Sequence, residues 1–191
     1  GLTFHPGGQS RHLLIWDGGP TACECRPPNE IADKPADGHL PAGDRQDEIR
    51  ELMELSKSVF ADHPVNKKRI AEGKKPATQI WLWGQGRPPE MPTIREQYGI
   101  SGALISAVDL LKGIGVYGGL EIINVEGATG YLDTNYDGKA RAALEALQVN
   151  DFVFVHVEAP DEAGHQGLIA EKVRAIEDFD RKIVRPILAG M

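Results

Sequence analysis

From residue 79 onward, short apolar runs alternate along the chain with segments whose apolar residues recur at helical spacing. The runs 80–83, 103–107, 121–125 and 152–157 read as strands, and the segments 93–98, 108–112, 138–147 and 168–188 as helices. In the last of these, Ile169, Val173, Ile176, Ile183 and Ile187 form one stripe, and Pro186 predicts a kink or an early end. The first part of the chain is less regular. It holds one convincing strand at 12–16, a DGGP turn and a proline-rich stretch over 27–41. A helix over 47–61 follows, with Ile49, Leu52, Met53, Leu55, Ser56 and Phe60 on one face to pack against that strand. After it, VNKKRIAEGKKP reads as a solvated basic linker. The pattern therefore predicts two domains, residues 1–76 and 77–191.

Four strand–helix units in a row imply an α/β fold: a mostly parallel sheet with helices on both faces, joined here to a smaller α+β domain. In such open sheets, ligands bind beyond the carboxyl ends of the strands. Those ends read WGQGRPP, SAVD, VEGATGYLDTNYDGK and EAPDEAGHQG. The fourth carries the sole Asp-x-x-x-His of the chain, Asp161 and His165. Residues four apart share a face of a helical turn, so a carboxylate and an imidazole at this spacing suit one metal ion. The same spacing also suits an aspartate that caps a helix or holds the turn after Pro160. Gly113, Gly115 and Gly118 spell G-x-G-x-x-G, but they follow a helical segment and precede a strand. A dinucleotide fingerprint needs the reverse order, so no nicotinamide or flavin is expected, and the glycines read as a helix stop and return loop.

Composition narrows the partners. The chain has 191 residues, 41% of them hydrophobic, which is enough for a real core. A formal net charge of -7 argues against a general affinity for nucleic acid or for an anionic membrane surface, leaving small molecules as the expected partners. No apolar run approaches the length of a membrane span, and the opening GLTFHPGGQSRH lacks the order of a signal peptide, so the expected compartment is cytoplasmic. Cys23 and Cys25 are too few for a disulfide scaffold and are expected as reduced thiols.

The runs IWLWGQGRPPEMP, ISAVDLLKGIGVYGGL, VEGATGYLDTNYDGKA, DFVFVHVEAPDEAGHQG and KVRAIEDFDRKIVRPIL occur in that order. Together they resemble the cofactor-independent phosphoglycerate mutases of the archaeal type and their bacterial relatives, in the alkaline phosphatase superfamily. The likeness extends to GGQSRHLLIW and covers essentially the whole chain. It implies a glycolytic interconversion of 2- and 3-phosphoglycerate through a transiently phosphorylated serine or threonine, without bisphosphoglycerate or NAD. It also implies two divalent ions, manganese or magnesium, with zinc or cobalt as further options, one of them ligated by Asp161 and His165. Arg11 stands at the family's arginine position, where it would grip a substrate carboxylate or phosphate of a small phosphorylated acid or else serve as a surface or domain-interface arginine. His12 and His156 are expected as hydrogen-bonded strand histidines.

Two departures from the family pattern stand out. PPNEI around Asn29 and Glu30 replaces a histidine–aspartate pair, and Phe4 or Gln9 stands where a tyrosine is expected. The resemblance further implies an internal fragment, inactive alone, whose nucleophile and remaining metal ligands lie in the rest of a parent chain. Two other functions stay open: another phosphotransferase or phosphohydrolase on this scaffold, such as the homoserine kinase proposed for some relatives, and a noncatalytic binding domain.

Overall fold

A computed structural model of the chain describes residues 1–7 and 11–191, so Gln9 lies outside the described residues. Two compact units emerge, one from Gly1–His5 and Leu13–Pro88, the other from Pro6–His12 and Pro89–Met191.

In the first unit, β1 (Leu2–His5) and β2 (Leu13–Trp16) form an antiparallel ribbon with Leu2 opposite Trp16. Two short strands, β3 (Cys23–Glu24) and β4 (Ala42–Gly43), form a second one. Between them the proline-rich stretch makes two single 3-10 turns, Pro28–Glu30 and Ala36–His39. Helix α1 (Gln46–Ala61) buries Ile49 and Met53 against Cys23, with Trp16, Leu40, Ile80, Trp81 and Leu82 around them. Both cysteines are free, and burial beside Cys23 pushes the Cys25 thiol up to about 11, which keeps it protonated at neutral pH.

Two sequence expectations change here. The basic segment read as a linker is in part a helix, α2 (Pro64–Ala71). Its start and stop signals outweigh its charge: His63 accepts from the Val65 amide, Pro64 opens the first turn, and Gly73 follows at φ 71°. The expected strand at 80–83 is irregular. A strand exists only by pairing, and here the Ile80 amide donates to Ser56 Oγ at 2.9 Å while the Trp81 indole donates to the Arg26 carbonyl at 2.8 Å. Buried Asn66 pins the start of this segment, donating to the Ala77 carbonyl at 2.7 Å and accepting from its amide at 3.0 Å. The first unit therefore runs on to Pro88, past the boundary read near residue 76.

The second unit opens on α3 (Ile94–Tyr98), where Thr93 and Glu96 close a reciprocal capping box. A three-stranded parallel sheet follows, built from β5 (Gly102–Ile105), β6 (Glu121–Ile123) and β7 (Phe152–Val155) in the order β6-β5-β7. Wholly buried β5 is its centre, with Leu104 opposite both Ile122 and Phe154, and Ile105 opposite Ile123 and Val155. Side chains alternate across the sheet, so Leu104 and Ile122 share one face while Ile105 and Val155 share the other. Helix α4 (Asp109–Tyr117) covers the first face and α5 (Tyr136–Ala146) the second, which gives the helices-on-both-faces layering.

Gly113 and Gly115 lie inside α4 instead of ending it, and Gly118 caps it. A Cβ at Gly115 would meet Ile122 Cδ1 at 2.8 Å and Leu104 Cδ1 at 3.1 Å, so this glycine lets the helix lie close to the sheet. After β7 come α6 (Ala159–His165) and α7 (Ile169–Phe179), then a π turn at Asp180–Val184 and α8 (Arg185–Gly190). The helical run continues past Pro186 to Gly190, so the proline does not end it. Its ring cannot tolerate the carbonyl four residues back, and the wider π turn just before it absorbs the misfit. The expected apolar stripe is split: Ile183 is buried, whereas Ile169, Val173 and Ile176 are exposed. The buried positions of α7 are Ala175 and Asp178, the latter held by Arg174, Arg181 and Lys182.

Candidate functional site

The strand order fixes where a ligand belongs. From β5 the chain first adds β6 on one side and then β7 on the other, so the connections diverge between β5 and β7. In open α/β sheets such a divergence marks the rim where ligands bind. Ser106 stands at the end of β5 and His156 at the end of β7, and the His156 amide continues the ladder by donating to the Ile105 carbonyl at 2.8 Å. Ser106 Oγ and His156 Nδ1 lie 3.3 Å apart, and the same hydroxyl accepts from the Val108 amide at 3.0 Å. Glu158 Oε2 is 3.7 Å from His156 Nδ1. From below, Lys139 Nζ donates to the His156 carbonyl at 3.0 Å.

Electrostatics in this cluster follow from its burial. Desolvation pushes His156 below its ordinary value, opposed by the Glu158 carboxylate and assisted by the Lys139 ammonium. Burial likewise lowers Lys139, with Glu158 working the other way. His156 is therefore neutral in the fold at pH 7. A depressed imidazole means the unfolded chain takes up its proton first as pH falls through about 6.5. Stability from this group is full above that pH and declines below it, until folded His156 is itself protonated. The difference in urea midpoint between pH 7.5 and pH 5.5 should thus be smaller in His156→Gln than in the wild-type protein.

One turn further on, α6 carries Asp161 and His165. Pro160 sits in its first turn, where the missing N–H costs nothing, and Ala159 and Ala163 are buried. Helical spacing then turns Asp161 and His165 together toward solvent, with side chains 65% and 75% exposed, and brings Oδ2 and Nε2 to 3.2 Å. Bonds of about 2.0–2.2 Å to a single ion at right angles hold two donor atoms about 3 Å apart, which the separation of this pair matches. The same distance fits a hydrogen-bonded ion pair. Among the described residues, no group of three or more histidine, cysteine, aspartate or glutamate side chains has metal-holding geometry. What these two residues offer is one oxygen and one nitrogen donor 3.2 Å apart.

The loop between β6 and α5 frames the other side of α6. Asn135 organises it, donating to the Glu126 carbonyl at 2.9 Å and accepting from the Gly138 amide at 2.8 Å as the cap of α5. Thr129 accepts from the Tyr131 amide and donates to Asp133 at 2.8 Å. A groove of about 230 Å³ lies between this loop and α6, lined by Tyr131, Asp133, Glu162, Gln166 and Leu168 among others. At about 100° per residue it borders the face of α6 turned away from Asp161 and His165.

The structure thus brings Asp161 and His165 together. Arg11 lies exposed between β1 and β2 and makes no ion pair among the described residues. Asn29 and Glu30 fall in the first 3-10 turn and Phe4 in β1, all in the first unit. The grouping of Ser106, Glu158 and Lys139 escapes a reading of the sequence. For Lys139 a signal exists: Tyr136, Ala140, Ala143 and Ala146 mark the buried stripe of α5, and the lysine falls on it.

Comparison with known proteins places the chain. The Metalloenzyme superfamily model matches residues 11–191. A protein of Methanosarcina acetivorans called 2,3-bisphosphoglycerate-independent phosphoglycerate mutase is 57% identical over 188 residues, covering 98% of this chain and 47% of that protein. A Geobacter sulfurreducens protein called probable 2,3-bisphosphoglycerate-independent phosphoglycerate mutase is 52% identical with the same two coverages. Among solved structures, the PH0037 protein from Pyrococcus horikoshii superposes with a TM-score of 0.66 at 34% identity, over 76% of this chain and 38% of that one. The chain spans about half the length of the curated relatives it matches. By its match over nearly every residue, this chain belongs to the Metalloenzyme superfamily, in the company of the 2,3-bisphosphoglycerate-independent phosphoglycerate mutases.

Proposed function

We propose that these residues are the part of a 2,3-bisphosphoglycerate-independent phosphoglycerate mutase that carries two ligands of one metal ion. The observation behind this reading is the converging pair Asp161 and His165, 3.2 Å apart on the first helix after β7, in a chain more than half identical to proteins bearing that name. In the whole protein the reaction interconverts 2- and 3-phosphoglycerate in glycolysis, by way of a phosphorylated serine or threonine, in the cytoplasm and without bisphosphoglycerate. Asp161 supplies a carboxylate oxygen and His165 an imidazole nitrogen, a set suited to manganese or magnesium, with zinc or cobalt as alternatives. Such an ion, when bound, offsets charge on the transferring phosphoryl group and activates the attacking hydroxyl.

The chain's own residues prepare that site. Pro160 and the buried Ala159 and Ala163 fix the roll of α6, so both ligands face one point. Arg11 is assigned to the carboxylate or phosphate of the substrate through its planar fork of donors. The first unit is assigned to a smaller domain inserted in a phosphatase-like core, and the second to a segment of that core. On this reading Leu110, Ile114 and Val116 of α4 and Ile169, Val173 and Ile176 of α7, all exposed, are surfaces that the remainder of the protein covers.

The test is an assay of the whole protein. Given 3-phosphoglycerate and Mn²⁺, it should form 2-phosphoglycerate, detected by coupling to enolase. Chelation should stop the reaction, and added 2,3-bisphosphoglycerate should not change it. Phosphorylation of homoserine from ATP, without mutase activity, would overturn the assignment.

A further inference from the structure

Lys139 is the largest wholly buried side chain of the chain, 1% exposed. An ammonium in such a place is costly, and an apolar residue of similar volume would pack there without that cost. Its surroundings show what it holds. Nζ donates to the carbonyl of His156, the residue that follows β7, at 3.0 Å, and the Glu158 carboxylate stands 3.7 Å from the imidazole of the same residue. Glu158 is the N-cap residue of α6, and its carbonyl accepts the first helical bonds from the Asp161 and Glu162 amides at 2.8 and 3.1 Å. His156 is fixed from three other directions, by its amide on β5, by Ser106 and by Glu158. Lys139 is thus the contact that ties this junction to the helix beneath it. No side chain of α6 hydrogen-bonds to the sheet among the described residues; the buried Ala159 and Ala163 and the packing on α7 set its roll, and this turn sets the point and direction from which it starts.

We infer that Lys139 is a positioning residue for the metal-ligand helix: its buried ammonium clamps the strand-to-helix turn at the His156 carbonyl, and so sets the direction in which α6 presents Asp161 and His165. It touches neither ligand and acts through the backbone of the turn. This rests on the reading of Asp161 and His165 as ligands of a divalent cation.

The experiment compares Mn²⁺ affinity and thermal stability of the whole protein in wild-type, Lys139→Met, Glu158→Gln and Asp161→Ala forms. A residue that only fills the core would leave Mn²⁺ affinity unchanged on replacement by the similarly shaped methionine. A positioning residue gives a different signature: Lys139→Met keeps its melting temperature or raises it, yet binds Mn²⁺ on the order of 10-fold more weakly or worse. Glu158→Gln should show a loss of the same order, because it removes the carboxylate that holds His156 from the other side of the same turn. Unchanged Mn²⁺ affinity in a folded Lys139→Met protein overturns the inference. Should that variant not fold, unchanged affinity in Glu158→Gln overturns it instead. The Asp161→Ala form separates the two levels. If its affinity is lost while that of Lys139→Met stands, only the positioning role fails; if its affinity is retained, the ligand assignment fails and the positioning role with it.

Discussion

Replacing Asp161 or His165 by alanine in the whole protein should lower mutase kcat/KM by on the order of 10³-fold and weaken Mn²⁺ binding, with the far-ultraviolet circular dichroism unchanged. The size follows from what a metal ion does in phosphoryl transfer: its charge stabilisation is worth several kcal/mol, and each 1.36 kcal/mol is about tenfold in rate. The unchanged fold follows from exposure. Both side chains are mostly in solvent, and even a fully charged pair exposed at this spacing contributes only about 0.3–0.5 kcal/mol to a helix. The two replacements should not add, because removing either ligand already disables the same ion. Steady-state kinetics across a Mn²⁺ titration, with electron paramagnetic resonance to count bound ions, reads both effects. Wild-type activity in Asp161→Ala would return the pair to the role of a helix-stabilising contact.

The second large effect is on stability. Ile105→Ala should destabilise the second unit by about 3–4 kcal/mol, within the range measured for large-to-small changes in packed cores. Ile105 is 1% exposed, sits in the centre strand and pairs with both Ile123 and Val155, so neither neighbour can collapse into the space without breaking register. The effect should extend to function, because Ile105 precedes Ser106 and its carbonyl accepts the His156 amide. Urea denaturation followed by fluorescence checks the magnitude, and a shift below about 1 kcal/mol, the size of an ordinary surface change, would show that β5 is not the keystone of the sheet.

Much of the second unit is legible in the amino-acid pattern. Four apolar runs read as strands, and the three that form strands are those with a parallel neighbour at the right distance; the run at 80–83 has equal apolar character but joins a core made by α1, β2 and β3. Apolar pattern records the tendency to be buried, whereas a strand also needs a partner for its amides. The helix at 64–71 is obscured for the opposite reason, because five basic residues in and after it hide the capping signals of His63, Pro64 and Gly73. In the last helix, periodicity places Ile169, Val173 and Ile176 in the core, yet within this chain they are exposed, and Asp178 is buried because three cations gather on it.

By itself the sequence determined the α/β class, the ligand rim and the candidacy of Asp161 and His165, since all three follow from local period and spacing. It also carried the family resemblance that the superfamily match bears out. Only the tertiary structure decided that the connections diverge between β5 and β7, which puts Ser106 and His156 side by side although they are 50 residues apart. It alone decided that Lys139 of α5 reaches the end of β7. Spacing along a chain fixes what one helix or strand presents, but the convergence of separate elements is fixed by packing, and packing depends on every layer at once.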